Sequence, residues 1–389
     1  MSMDGRTAQY KKRAYNTGMA AFFLSGFCAI SAGVVVSLLR DRYQFSYSFS
    51  GTLVSAMSIG NVVALLVSGV LPGLIGPRAT TLTLTAGYFL GYLISALTGN
   101  PMFLLLAFLL AGMSKGGTAS TCTVLVGSNT DDRPRALNLM NAWFALGALL
   151  CPFLISTLQG IGASMPMFCV ALAGLCLWLL FCFSPLPGRA AVTGGASGKT
   201  DYSFLKNRAF WMLAMLMFCQ NAAEYTVNGW LVTYYKNEQI LSGALAAYAV
   251  TVQWIFTLAA RLLLAFMMKD RDPFKALAVM GAGMTVMYGV LLRVSTPVPA
   301  LIALALFSFS VAGVYPMGVA SIGEMLSPAS VGILLAFAGV GGILFPWLVG
   351  IVADLAGLRT GMAVNLIPCV GIIVLSLIIP RAGGVHRRD

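Results

Sequence analysis

The stretch LLLAFLLAGMSKGGTASTCTVLV, residues 104–126, decides what kind of molecule this is. It carries a single charge, Lys115, in a run long enough as a helix, at ~1.5 Å per residue, to cross ~30 Å of hydrocarbon. A helix satisfies all its backbone hydrogen bonds internally, which is what a segment in lipid must do. The rest of the chain repeats this pattern. With 59% hydrophobic and 9% charged residues over 389 positions, there is too little polar surface to cover a water-soluble globule. A membrane β-barrel would instead show short alternating segments.

Twelve such segments are expected, at 17–39, 49–71, 79–98, 102–128, 135–158, 163–184, 208–235, 243–267, 274–293, 298–323, 329–352 and 360–380. Gly99-Asn100-Pro101 and Ser295-Thr296-Pro297 are typical of the punctuation between them. The longest interruption, from Pro185 to Asn207, is small, polar and basic. It predicts an all-α membrane protein of two six-helix bundles, 1–185 and 207–389, joined by a flexible linker over 186–206.

Lys and Arg set the orientation. With the N-terminus cytoplasmic, seventeen of the 24 fall on that side, five on the other, and Lys115 and Arg261 within segments. This asymmetry predicts an inner (plasma) membrane protein with both termini and the linker cytoplasmic. It also accounts for most of the net charge of +12, so nucleic-acid binding is not inferred. The first sixteen residues lack a cleavable-signal pattern, so the first segment is expected to be retained. The eight cysteines fall in apolar segments without CxxC spacing and read as reduced packing residues. No P-loop, HExxH or metal-ligand cluster points to an enzyme or a cofactor, and the sole histidine, His386, lies in the tail.

The seventh segment contains LMFCQNAAEYTVNGWLV, residues 216–232, and the one carboxylate expected deep in the membrane. Glu224 lies ~4 Å from the segment's midpoint at ~1.5 Å per residue. Asn221, Glu224, Tyr225 and Asn228 fall at i, i+3, i+4 and i+7 on one helical face, which must look into protein or water. Two readings stand: a protonated Glu224 that ties its helix to a neighbour, or a substrate path on which Glu224 carries a proton or senses a cation. Lys115 is the second anomaly, too deep to snorkel. It could pair with Glu224, meet an anionic substrate, or act locally. Arg261, about one and a half turns from its segment's end, reads as an anchor or latch reaching polar surroundings.

Several local patterns resemble the major facilitator superfamily, and within it the fucose:proton symporter-like sugar transporters. They are NLMNAWFALGALLCP at 138–152, Glu224 with Trp230 and Tyr234, GVYP at 313–316, and GVGGILFPWLVGIVADLAGLR at 339–359, all in the family's order. The superfamily's loop after the second helix keeps Gly69, Gly76 and Arg78 here, with Gly73 where an Asp is usual. The first segment has no acid, and Asn141 stands where His is frequent. The resemblance implies alternating access around a midplane site lined by the first, fourth, seventh and tenth helices. Lys115 and Glu224 lie on two of these.

The expected function is therefore secondary active transport of a small polar solute, a sugar or sugar derivative, by a monomer in membrane lipid, with H⁺ as coupling cation. Asn141, Gln220, Asn221, Asn228, Gln253 and Tyr315 are candidates to bond hydroxyls, and Trp143, Trp230 and Trp254 to stack on a ring. Glu224 is the candidate proton carrier, and Lys115 contributes to the site. The alternatives are a transporter of small organic anions or sugar acids with Lys115 as counter-ion, and a non-transporting receptor.

Overall fold

The computed structural model describes residues 3–45, 47–160, 164–183, 202–241, 243–267 and 272–382, so most of the expected linker lies outside the described residues. Helices cover each of the twelve apolar segments, and there is no strand among the described residues. They are α1 (Met3–Tyr43), α2 (Tyr47–Val67), α3 (Pro77–Leu97), α4 (Pro101–Ser128), α5 (Arg133–Gly160) and α6 (Met165–Phe183), followed by α7 (Arg208–Asn237), α8 (Gly243–Met267) and α9 (Pro273–Leu291). The last three are α10 (Pro297–Ala320), α11 (Pro328–Ala356) and α12 (Leu358–Arg381). Seven are long and apolar enough to cross a membrane, and α2, α6 and α8 carry shorter apolar stretches. Among the described residues α5 and α7 fall in neither group; α7 carries the polar face described above.

Side-chain caps mark several starts. Asn100 accepts from the Met102 backbone N–H at 3.0 Å with Pro101 at the first helical position. Asn207 and Asp272 cap α7 and α9 in the same way at 2.9 Å. Three elements differ from expectation. The first helix begins at Met3 rather than near residue 17, because extending a formed helix through Ala, Gln, Lys and Arg is cheaper than starting a new one. The second stops at Val67, where Ser68, Gly69 and Pro72 give a turn and a short helix, Leu71–Ile75. The tenth is interrupted at Gly313, between Ala312 and Val314.

Contacts divide the chain into two compact units. The first comprises Met1–Asp131, Trp143–Tyr202 and Leu326–Ala336; the second Asp132–Ala142, Ser203–Met325 and Phe337–Asp389. In the first, α2 and α3 pack on α4, and α1 and α3 on α6. The α2–α4 seam is close because a Cβ on Gly60 or Gly112 would overlap the carbonyl oxygen of Leu109 or Met57. Polar links cross this unit too: Ser114 Oγ donates to the Leu84 carbonyl at 2.6 Å, and the Tyr92 hydroxyl donates to the Cys28 carbonyl. Among the described residues seven cysteines are buried.

In the second unit α9 packs on α10 and α12, α10 on α8, and α12 on α7. Tyr235 Oη donates to the Ala300 carbonyl at 3.0 Å, tying α7 to α10. Arg359 and Glu238 form an ion pair at 2.9 Å between the ends of α12 and α7. These ties hold α7 against α10 and α12.

Candidate functional site

Two polar stripes with the same spacing meet in the second unit. On α7, Gln220, Glu224 and Asn228 follow one another at i, i+4 and i+8; on α8, Gln253, Thr257 and Arg261 do the same. Gln253 Nε2 donates to Asn228 Oδ1 at 2.6 Å, a bond that fixes the register between the helices. Gln220 Nε2 donates to Glu224 Oε2 at 2.5 Å. One amide on each stripe is thus committed to a partner, and each keeps an oxygen without one. Gln220 Oε1 and Gln253 Oε1 are buried acceptors with no hydrogen bond, as is the Thr226 hydroxyl. Such groups are uncommon in native interiors and call for an explanation.

Arg261 completes the cluster. Only 6% exposed, it is buried among helices, which fits the latch rather than the anchor of the two roles expected for it. Its Nε donates to the Ala312 carbonyl at 3.4 Å and its terminal nitrogen to the Asn141 carbonyl at 3.2 Å. It lies close enough to feel the charge of Glu224 and the hydroxyls of Tyr315 and Tyr225. A buried guanidinium is costly unless acceptors and an opposite charge are near, and here two backbone carbonyls accept from it and Glu224 acts on it electrostatically. The sequence signal for Arg261 is the 253–257–261 spacing, which puts it on the face of Gln253.

The remaining candidates divide by what their polar atoms touch. Tyr315, half-buried on α10, is close to both Arg261 and Glu224. Asn221 and Trp254 are half-buried and Asn228 is exposed. Trp230 Nε1 donates to the Pro346 carbonyl at 2.9 Å, which ties α7 to α11 at the proline inside that helix. Asn141 is turned into its own helix, Nδ2 donating to the Leu137 carbonyl at 2.8 Å, so its backbone rather than its amide serves Arg261. Lys115 and Trp143 belong to the first unit. Lys115 is half-buried and follows Ser114, whose hydroxyl is bonded to α3 backbone; Thr118, one turn on, is buried without a partner. Trp143 packs edge-on against Phe23 with ring centroids 5.9 Å apart.

Among solved structures, the chain is similar to the transporter FucP in an outward conformation, with 16% identity, a TM-score of 0.79 and coverage of 94% of this chain and 98% of that one. The proton:xylose symporter XylE gives 12% identity and a TM-score of 0.76 over 96% of both chains. The human organic anion transporter MFSD10 gives 17% and 0.71 over 97% of this chain and all of that one. No curated protein matches by sequence. Residues 18–330 match the sequence model of the Major Facilitator Superfamily, and the chain belongs to that family.

Proposed function

We propose that the protein is a secondary active transporter that moves a small polar solute, a sugar or sugar derivative, by alternating access coupled to H⁺. The observation that carries this reading is the α7–α8 cluster. It gathers the deep carboxylate Glu224, two buried amide oxygens without donors, and Arg261 in one place. Unpartnered acceptors suit the hydroxyl donors of a polyol. A membrane carboxylate that can be neutralised while hidden from water suits proton coupling. The likeness to a fucose:proton symporter of E. coli and to a proton:xylose symporter supports the same solute class.

On this reading Gln220, Asn221, Asn228, Gln253 and Tyr315 meet the solute, Trp254 offers it a ring face, and Lys115, Asn141, Trp143 and Trp230 shape the site. Two six-helix bundles, 1–185 and 207–389, with a cytoplasmic linker and cytoplasmic termini, rock about that site in an inner (plasma) membrane as a monomer. The test is uptake of labelled sugars into proteoliposomes with and without an inward proton gradient. Accumulation above the external concentration only when the gradient is present supports the reading. Accumulation that needs Na⁺, or none for any sugar, overturns it.

A second reading, transport of small organic anions or sugar acids, is favoured by charge. Two cations, Lys115 and Arg261, stand within segments against the single carboxylate Glu224, and the likeness to an organic anion transporter agrees. Competition by sugar acids but not by neutral sugars would select it.

A further inference from the structure

At the N-terminal end of α1 the first unit has a groove of about 600 Å³, remote in chemistry from the polar cluster of the second unit. One wall is the α1 face carrying Lys12, Arg13, Asn16 and Ala20; the other is Trp178 and Phe181, within the last two turns of α6. Among the described residues no acidic side chain lines it. Its character changes along its length, from two cations through an amide to a methyl group and two aromatic rings.

The length of α1 says where this groove sits. Its 41 residues span ~62 Å at ~1.5 Å per residue, about twice the hydrocarbon thickness. Its apolar span starts near residue 17, so Lys12 and Arg13 stand just outside the hydrocarbon and Ala20 just inside. Trp178 and Phe181 are 59% and 66% exposed, with ring centroids 5.8 Å apart, in the place where aromatic side chains mark a membrane boundary. A groove that is cationic on the water side and aromatic on the lipid side is complementary to an anionic amphiphile, and a bilayer supplies one at this depth.

We propose that this groove seats an anionic glycerophospholipid of the leaflet facing the N-terminus, its phosphate held by Lys12 and Arg13 with Asn16, and its upper acyl chain against Trp178 and Phe181. Arg13 offers a planar fork suited to phosphate oxygens, and Lys12 a second donor one residue away. A zwitterionic lipid brings its own ammonium into the same space and gains less from the two cations.

The experiment uses the full chain in nanodiscs of brominated phosphatidylglycerol or brominated phosphatidylcholine at equal mole fraction. The reading is the quenching of the Trp178 signal, taken as wild type minus Trp178→Phe. Phosphatidylglycerol is expected to be preferred about thirtyfold, at ~1 kcal/mol for each of the two basic residues near the surface. Lys12→Gln/Arg13→Gln should abolish the preference, and Lys12→Arg/Arg13→Lys should retain it. Both side chains are exposed, so thermal unfolding of both double variants in phosphatidylcholine should match wild type, which separates lost binding from lost folding. Equal quenching by the two lipids, or a preference that survives loss of both charges, overturns the proposal. So does loss of the preference in excess inorganic phosphate, which would mark a plain anion site.

Discussion

Lys115 and Glu224 look alike in the sequence, each a lone charge in an apolar run of helix length, yet their neighbourhoods have little in common. Around Glu224 the nearby groups are polar and from several elements: the Gln220 amide on α7, Arg261 on α8 and Tyr315 on α10. Beside Lys115 the sequence supplies glycines and small hydroxyls, and the Ser114 hydroxyl is already committed to α3 backbone. Depth in an apolar segment identifies a costly charge; the atoms around it decide what that charge can do. Glu224 sits among polar groups from three helices, while Lys115 stands beside glycines that pack closely on neighbouring helices.

The largest expected effect follows from that contrast. With one proton per solute, a gradient of two pH units supports about a hundredfold accumulation, at ~1.4 kcal/mol per factor of ten. Glu224→Gln keeps the shape and the bond to Gln220 but removes the titrating group. It should bring accumulation close to equilibration while leaving exchange between equal solute pools intact. Undiminished proton-driven accumulation in this variant would place coupling elsewhere and remove the distinction between the two regions.

Arg261 sharpens the same contrast. Replacing it with Met removes the cation near Glu224 and strips donors from the Ala312 and Asn141 carbonyls. Affinity for the transported solute, read by ligand-induced thermal shift, should fall about tenfold, or ~1.4 kcal/mol. Arg261→Lys should fall between, since an ammonium cannot reproduce the planar fork that reaches two carbonyls. Equal affinity in Arg261→Met and wild type would reduce Arg261 to a packing residue.

The fold was legible in the sequence to the extent that apolar length decides it. A helix lies over the apolar segment at 243–267, and Asn100-Pro101 cap α4 at the expected punctuation. Where apolar length is silent, expectation and structure part: α1 runs on into hydrophilic residues, and α10 breaks at Gly313 inside an apolar stretch. The site was half legible. The polar face of α7 stands out against its background, but which of its members matter depends on α8, and the sequence contains no statement of which helices touch. Of the two roles expected for Arg261, its bonds to the Ala312 and Asn141 carbonyls fit the latch, and the 253–257–261 spacing is the sequence signal that places it beside Gln253. Asn141 was read for its amide, whereas a bond to the Leu137 carbonyl turns that amide into its own helix.

A smaller effect isolates the register bond. Gln253→Leu removes the donor to Asn228 together with a buried oxygen that has no partner. Loss of a hydrogen bond costs ~1 kcal/mol, while removal of an unsatisfied buried acceptor returns part of it. Stability should therefore change little while affinity for a neutral polyol falls about fivefold, measured on the same thermal-shift titration. A large loss of stability with unchanged affinity would make the bond structural and the α7–α8 cluster a strut.

The smallest effect is expected at Lys115, and it tests the comparison most directly. Glu224 already has Gln220 as a hydrogen-bond donor and Arg261 as a neighbouring cation, so compensation is available within its own unit. Lys115→Met should then change affinity for a neutral solute by about twofold or less, and its effect should add to that of Glu224→Gln within ~0.5 kcal/mol in a double-mutant cycle. A coupling above ~1 kcal/mol would mean that the two charges meet at some stage of transport, and the separation drawn between the regions would then describe one state of the protein rather than its mechanism. A loss confined to anionic solutes in Lys115→Met would carry a different lesson. The seam around α4 would then be a place where a carboxylate binds, and the second reading of the function would replace the first.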